Sequence, residues 1–396
     1  MDKKPFKRVS DKIAAFAGDG LHEKIFLASV CLTLILYGIG MTRFEITSYP
    51  VLWGVSRILR YLLMAVMIFN VFFVCGEYTV KEMLIIALVG CCLVYGSVKA
   101  VDRALLISMV IIVSAKNVSF EKTCRVFFFT YSVMTLTVMA LFFTGFLDEF
   151  TMVRGEEMIR HSLGFNHPNL LGLFVFVSYL GFSLGFPEKT KNILFYLAGL
   201  ALTAFLWTVP NSRTSAFGVI LIMAAVPFGR SRIVRSRLCR ITALIIPGLL
   251  TAVSIVSIFI YDETNRVFYI LNKLFTSRLS LAAIHYRQAG WGGLWGAEHL
   301  QIQTEILIDN CYDRLFLYFG LIALVVFIAA YYSAMLRCIR EERYDILVIL
   351  VVMSVFGVFE LYTFNSLYNI GLSALTACIS KRANEGTAGQ SPFSGS

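Results

Sequence analysis

RHSLGFNHPNLLG, residues 160–172, stands immediately before a long apolar run, and its reading frames the rest of the chain. It gathers one charge, two histidines and two asparagines into a few positions. In a chain that is 58% hydrophobic, such a cluster either caps a helix or meets a charged ligand where water meets lipid. Proline is favoured in the first turn of a helix, and a polar residue before it satisfies exposed amides. That accounts for Pro168 and one neighbour. It leaves Arg160, His161, and the presence of both His167 and Asn169 to be explained. A helix N-terminus also favours anions, so a cap and a phosphate site are compatible.

The surrounding composition places this cluster at a membrane. Only 15% of the 396 residues are charged, against roughly 25% in a soluble domain, and the mean hydropathy is +0.75. Apolar runs near the ~20 residues that cross hydrocarbon recur along the chain. They lack the alternation of a membrane β-barrel. The fold class is therefore an all-α polytopic membrane protein. Twelve spans are expected, at about 24–40, 55–75, 82–98, 103–115, 125–146, 168–186, 192–209, 213–229, 241–261, 315–335, 345–360 and 363–380. Residues 1–380 form one transmembrane domain, and the Gly/Ser-rich tail 381–396 is expected to be disordered. The first apolar run, Ile25 to Ile39, has no small-residue cleavage site and reads as a retained span.

The net charge of +10 does not point to nucleic acid, because the basic residues lie in short loops between spans. That is the positive-inside pattern. With both termini cytoplasmic, 22 of the 35 Lys+Arg fall inside, and five of the remaining 13 lie in one long loop that the rule discounts. The short fourth span keeps the five-arginine segment from Arg230 to Arg240 inside. Two substantial loops then face outward, about 147–167 and about 262–314, the second between helices 9 and 10. Loops of that length are more often functional than connecting. No internal repeat is evident, which weighs against an inverted-repeat transporter. The nine cysteines include no CxxC pair, and neither a disulfide framework nor a zinc site is implied.

The outward face carries Arg154, Arg160, Arg213, Arg266, Arg278 and Arg287. Arginine is always charged and offers a planar fork of donors suited to phosphate oxygens. The plain alternative is that each snorkels to lipid headgroups. Arg213 and Arg278 stand out, Arg213 because Pro210-Asn211-Ser212-Arg213-Thr214-Ser215 lies between two apolar runs and brings its charge to a helix start, and Arg278 within Thr276-Ser277-Arg278-Leu279 of the long loop. Four of the five histidines, His161, His167, His285 and His299, are also outward, and histidine serves as a base near neutral pH. Glu156, Glu157, Asp309 and Asp313 are further base candidates, Asp309 and its neighbours also fitting a capping role ahead of the tenth span. No metal-ligand spacing occurs, and no cofactor or metal is expected. Charge is nearly absent inside the spans, Glu360 at a span end being the nearest case, which favours chemistry on the outer face over ion-coupled transport.

At these positions the chain resembles bacterial surface-polysaccharide polymerases of the O-antigen polymerase and ligase superfamily (the Wzy-like proteins). The landmarks, in order, are Arg160-His161-Ser162-Leu163-Gly164-Phe165-Asn166-His167-Pro168-Asn169, Asn211-Ser212-Arg213-Thr214, Ser277-Arg278-Leu279, Trp295-Gly296, Asp309-Asn310-Cys311-Tyr312 and Tyr318-Phe319-Gly320. The resemblance implies a GT-C-like glycosyltransferase in the bacterial cytoplasmic membrane with its site facing outward. Such an enzyme joins undecaprenyl-pyrophosphate-linked oligosaccharide units for O-antigen, capsule or exopolysaccharide. By the same resemblance, Arg160, Arg213 and Arg278 engage the pyrophosphate, with Asn169, Arg287, Asp309 and Tyr312 lining the site. His161, His167 and Arg278 are the catalytic candidates, and a flippase and a chain-length regulator are the implied partners besides membrane lipids. The family's Arg-x10-Gly spacing is not met, since Ala289 stands eleven residues after Arg278 and Gly290 one further. His285 and His299 do not match the ligase branch's loop histidine, which tilts the reading to polymerase over ligase. A flippase of lipid-linked sugars and a non-catalytic envelope subunit are the alternatives from other classes.

Overall fold

The computed structural model describes residues 4–17, 20–44, 49–100, 102–154, 158–297 and 307–375, with the backbone alone at 14–17, 154, 374 and 375. In chain order the helices are α1 (Lys7–Ala17), α2 (Leu21–Ile39), α3 (Pro50–Cys75), α4 (Val80–Lys99), α5 (Ala104–Ser114), α6 (Phe120–Phe143), α7 (Pro168–Gly185), α8 (Ile193–Thr208), α9 (Arg213–Arg230), α10 (Arg237–Ile260), α11 (Arg266–Leu274), α12 (Arg278–Ala289), α13 (Cys311–Arg340) and α14 (Tyr344–Phe356). Between α6 and α7 lies an antiparallel hairpin of β1 (Thr151–Arg154) and β2 (Met158–His161), with Met152 opposite Arg160. The chain is thus a mostly helical polytopic membrane protein.

Among the described residues, seven helices are long and apolar enough to cross a bilayer: α2, α3, α4, α6, α7, α10 and α13. The other expected spans take different forms. The segment expected at 103–115 gives the 11-residue α5, which at 1.5 Å per residue covers about 16 Å of a ~30 Å core. Helices α8 and α14 are apolar but short, and α11 and α12 form a pair bent by 110° within what the sequence reading treats as a loop. The segment expected at 363–380 is not α-helical where it is described, up to residue 375, and its remainder lies outside the described residues, as does the tail 381–396. Polar side chains divert it: Asn369 Nδ2 donates to Thr363 O at 2.7 Å, Asn365 Oδ1 accepts from Leu367 N at 3.0 Å, and Ser366 N donates to Ser108 Oγ at 2.9 Å. Asn and Ser side chains compete with the backbone ladder in this way.

Local chemistry sets the helix ends. Thr79 and Glu82 form a reciprocal capping box at α4, and Ser119, Asn192, Ser236 and Asn265 cap α6, α8, α10 and α11. The last turns of α3 (Asn70–Cys75) and the second turn of α13 (Leu315–Phe319) are π-helical, a rare geometry that is frequent at functional sites.

The chain forms two compact units. The hairpin unit comprises Lys4–Tyr78 and Val113–Pro227. Its centre is α7, the most enclosed of the seven candidate spans. Close approach to α6 rests on glycine: a β-carbon on Gly181 would lie 2.8 Å from Phe128 N, and one on Gly185 3.0 Å from Arg125 N. At the other end of α7 a β-carbon on Gly172 would collide with Ser212 Oγ. The glycine-loop unit comprises, among the described residues, Thr79–Ile112 and the chain from Phe228 to residue 375. Its core joins Leu93, Ile258, Ile308, Leu317 and Phe364 around the π-helical turn of α13.

Candidate functional site

In the hairpin unit the site grows from the end of β2. Neighbouring residues on a strand point to opposite faces, so Arg160 turns inward to 7% exposure while His161 stays half-exposed. The Arg160 Nε donates to Pro210 O at 2.9 Å and its Nη2 donates to Asn169 Oδ1. One residue on, His161 N donates to Val209 O at 3.1 Å. Two sequence landmarks some fifty residues apart therefore meet. The loop between them and α7 turns through Leu163 (φ 46°) and Gly164 (φ 89°) and is tied to the end of α2 by Arg43 N to Gly164 O (2.8 Å) and Asn166 N to Met41 O (3.0 Å).

The two histidines separate in role. His167 is the N-cap of α7: its Nδ1 accepts the backbone N–H of Asn169 at 3.0 Å. In neutral His167 the proton then sits on Nε2, which leaves no free lone pair for a base. Burial, and then the nearby Arg160 charge, hold its pKa below the ordinary 6.5. His161 instead places Nδ1 2.9 Å from Glu149 Oε1. In the tautomer that donates to Glu149, Nε2 carries the lone pair, the arrangement in which a carboxylate orients a histidine base. Glu149 belongs to the short DEF segment before β1, where nothing in the sequence spacing tied it to His161.

Arg213 opens α9 and is exposed, its guanidinium 5.7 Å from the Trp207 ring centroid. The turn before it is built by Asn211, buried with φ 44°, whose Nδ2 donates to Trp207 O at 2.9 Å. Arg213 does not share the buried network of Arg160 and Asn169.

In the glycine-loop unit the site forms at the bend between α11 and α12. Thr276 (φ 50°) and Ser277 (φ 66°) are both left-handed, a conformation that costs about 1–3 kcal/mol for a non-glycine residue. Arg278 follows at once. Its Nη1 donates to Thr276 Oγ1 and to Phe275 O (3.3 Å), and its Nη2 lies 3.4 Å from Asp309 Oδ2. The Arg278 side chain is 11% exposed, and its Nε has no hydrogen-bond partner among the described residues. Burial raises the Asp309 carboxyl above its ordinary 3.8, against the lowering by Arg278 and Arg314.

Other expected site residues take structural posts. Tyr312 is buried, and its hydroxyl donates to Ser354 O at 2.7 Å, tying α13 to α14. Asn310 caps α13 by accepting from Tyr312 N (2.9 Å) and Asp313 N (3.3 Å), and its Nδ2 reaches Ser254 Oγ at 2.9 Å. Arg287 is exposed and donates to Tyr261 O at 2.7 Å. His285 is fully buried, its ring 5.1 Å from that of Tyr318. His299, Glu156 and Glu157 lie outside the described residues.

A second pair, like His161 and Glu149, has no signal in the sequence. Arg314 Nη2 donates to Asp102 Oδ2 at 2.7 Å across 212 residues, and the guanidinium lies 4.7 Å from the Tyr318 ring centroid. Beneath it the loop Trp291-Gly292-Gly293-Leu294-Trp295-Gly296 docks on the π-helical turn. Ala297 N donates to Tyr318 O, Leu321 N to Gly293 O and Ile322 N to Leu294 O, at 3.0, 3.0 and 3.1 Å. A β-carbon on Gly292 would lie 2.7 Å from Leu317 O, and one on Gly296 2.9 Å from Tyr318 O. Only glycine permits this contact, so the Trp295-Gly296 and Tyr318-Phe319-Gly320 landmarks are two halves of one joint. No protein-family model, curated protein or solved structure matches the chain.

Proposed function

We propose that this protein is a Wzy-like membrane glycosyltransferase that polymerises undecaprenyl-pyrophosphate-linked oligosaccharide units on the outer face of the bacterial cytoplasmic membrane. The observation that carries the reading is the pairing of landmarks within each unit. The Arg160 segment meets Pro210, beside the Asn211-Ser212-Arg213 landmark, and the Arg278 segment meets Asp309. Residues that look unrelated in sequence are thus gathered into two arginine-bearing polar clusters at helix ends. The full topology of this reading has twelve membrane passages, both termini cytoplasmic, and a GT-C-like arrangement with the clusters outward.

The chemistry is a displacement at the anomeric carbon of the donor. An acceptor hydroxyl attacks, the bond from that carbon to the pyrophosphate oxygen breaks, and undecaprenyl pyrophosphate departs with the bonding pair. His161 Nε2, backed by Glu149, takes the hydroxyl proton. Pyrophosphate is a good leaving group and needs no acid of the glycosidase kind. What it requires is positive charge placed where negative charge grows, and Arg160, Arg213 and Arg278 are the side chains assigned to it.

Alanine replacement of Arg160, Arg213 and Arg278, with protein level and membrane insertion checked, tests the proposal on a gel that resolves polymer length. Single repeat units outside the membrane and no ladder are expected. Wild-type ladders from all three variants would refute it. Lipid-linked units retained on the cytoplasmic side would replace it with a flippase, and transfer of a preformed chain to a new acceptor would replace it with a ligase.

A further inference from the structure

The hairpin unit contains a cavity of about 490 Å³ between α6, α7 and α8, with Lys189 and Asn192 at the end of α7 opposite Asn169. That volume lies within the roughly 300–1,000 Å³ of sites that hold small organic ligands. It extends from Phe128 to Leu136 on α6, from Phe182 back to Val175 on α7 and from Leu194 to Leu202 on α8. Eight residues of helix make this about 12 Å deep, close to the ~15 Å depth of one hydrocarbon leaflet.

The lining is almost wholly apolar, and its few hydroxyls are already engaged. Ser132 and Ser178 bond to each other at 2.5 Å, Tyr179 Oη donates to Phe195 O at 3.0 Å, and Thr135 Oγ1 donates to Tyr131 O at 2.7 Å. With its hydroxyls engaged in this way and the rest of its walls apolar, the depth of the cavity suits hydrocarbon.

The mouth differs. Lys189 and Asn192 line it, and Asn192 caps the first turn of α8, whose N-terminal amides favour an anion. Lys191 stands two residues on in the same segment, and Arg125, which does not line the cavity, lies over the Phe186 ring at 4.9 Å and donates to Gly185 O at 2.8 Å. Glu188 is the one acid in the connecting segment from Phe186 to Asn192. Among the described residues no carboxylate forms an ion pair with Lys189. An apolar shaft one leaflet deep with a cationic rim matches a single molecule, a lipid with a phosphate headgroup and at least one long hydrocarbon chain.

We infer that this cavity is a binding site for an anionic phospholipid, with one acyl chain between α6, α7 and α8 and the phosphate at Lys189. It is distinct from any site at Arg160. Asn169 stands in the first turn of the 18-residue α7, and Lys189 lies just beyond its last turn. The two are separated by about 27 Å of helix, so lipids at the two ends belong to opposite leaflets. The inference stands whether or not the transferase proposal does.

The test uses the full chain in phosphatidylcholine vesicles doped with either phosphatidylglycerol or phosphatidylcholine bearing a diazirine on one acyl chain. Cross-linked peptides are then mapped by mass spectrometry. Phosphatidylglycerol is expected to label the cavity walls about fivefold more than phosphatidylcholine, the factor equivalent to about 1 kcal/mol for one lysine near an anionic surface. Lys189→Glu should bring the two lipids to parity or below. Ala198→Phe, which fills the cavity, should remove labelling of its walls by both lipids and leave the exposed face of α10 labelled as before. Equal labelling by the two lipids in the wild-type protein would reduce the cavity to ordinary lipid-facing surface and overturn the inference. So would wall labelling that Lys189→Glu leaves unchanged, a surface variant that serves even if Ala198→Phe does not fold. Competition by inorganic phosphate would mean that the headgroup alone is bound, and would also overturn it.

Discussion

The Arg160 guanidinium donates to the side-chain oxygen of Asn169, joining the second strand of the hairpin to the first turn of α7. With Pro210 O as its second acceptor, Arg160 holds three segments of the hairpin unit at one buried point. Lysine carries the same charge but not the planar fork that makes these bonds. Arg160→Lys is therefore expected to keep the protein in the membrane while lowering polymer formation about 10- to 100-fold, the loss equivalent to about 1.5–3 kcal/mol for a charge-assisted hydrogen bond. Asn169→Ala should show a similar loss, and the double variant little more than either alone, because both remove one interaction. Independent, multiplying losses in a polymer assay would mean the pair does not act as a unit.

His161 and His167 are six residues apart and should respond in opposite ways. Asparagine is a strong N-cap, so His167→Asn should preserve activity and stability, whereas His167→Ala should cost about 1 kcal/mol. The folded-state pKa of His167 lies below its ordinary 6.5. Its stabilisation is then complete above 6.5 and lost as pH falls through the lowered folded value, because protonation turns Nδ1 from acceptor to donor against Asn169 N–H. Melting temperature followed from neutral to acid pH should drop in the wild type, and the drop should be smaller in His167→Asn. His161→Ala and Glu149→Gln should both depress polymerisation, the former by about 10²–10⁴-fold. Full activity in His161→Ala would remove the base from the mechanism.

Hydropathy made the class of the protein legible, and Pro168 marked the start of α7 because proline at the first helical turn follows from its missing N–H. Helix lengths were not legible in the same way. The apolar run at 103–115 reads as a span, yet the chain breaks at Asn117 (φ 57°) before Ser119 starts α6. The final apolar segment reads as helix, yet Asn365, Ser366 and Asn369 spend their side chains on its backbone. In the candidate site, Arg160, Asn169, Arg278 and Asp309 were all visible as residues, but which of them pair was not. Pro210 supplies a carbonyl, which no residue type announces, and Asp102 lies too far from Arg314 in sequence for any spacing to signal it. Trp295-Gly296 was noted as a landmark, but the reason for its glycine, contact with a carbonyl of a π-helical turn, exists only in three dimensions.

That contact makes Gly320 the most sensitive glycine of its unit. It has φ 85°, and a β-carbon there would stand 2.5 Å from Gly296 N and 2.9 Å from Leu294 O. Gly320→Ala should lower the unfolding free energy by about 1–3 kcal/mol from backbone strain alone, with the steric clash adding to it. Gly54→Ala in α3 is the control, since its β-carbon meets nothing within 4 Å and alanine in a helix is favoured over glycine by about 1 kcal/mol. Thermal unfolding in detergent should separate the two in sign. A Gly320→Ala variant as stable as the wild type would show that the loop does not need its docked position.

Asp309 gives the glycine-loop unit a pH signature of the reverse kind. Its folded-state pKa is raised above 3.8 by burial, with Arg278 and Arg314 opposing. The folded protein thus binds the proton more tightly than the unfolded chain does. The corresponding stability is present below 3.8 and is lost as pH rises through the raised folded value. Asp309→Asn is neutral at every pH and should lack that fall, so its melting temperature should exceed the wild-type value increasingly as pH climbs across the window. Arg278→Ala removes a group that pulls the pKa down, and should shift the wild-type fall to higher pH. Melting curves of the three proteins from pH 4 to neutrality decide the matter. Superimposable curves for wild type and Asp309→Asn would show that the carboxyl ionises without cost, which would place it in water rather than in the partly buried niche beside Arg278.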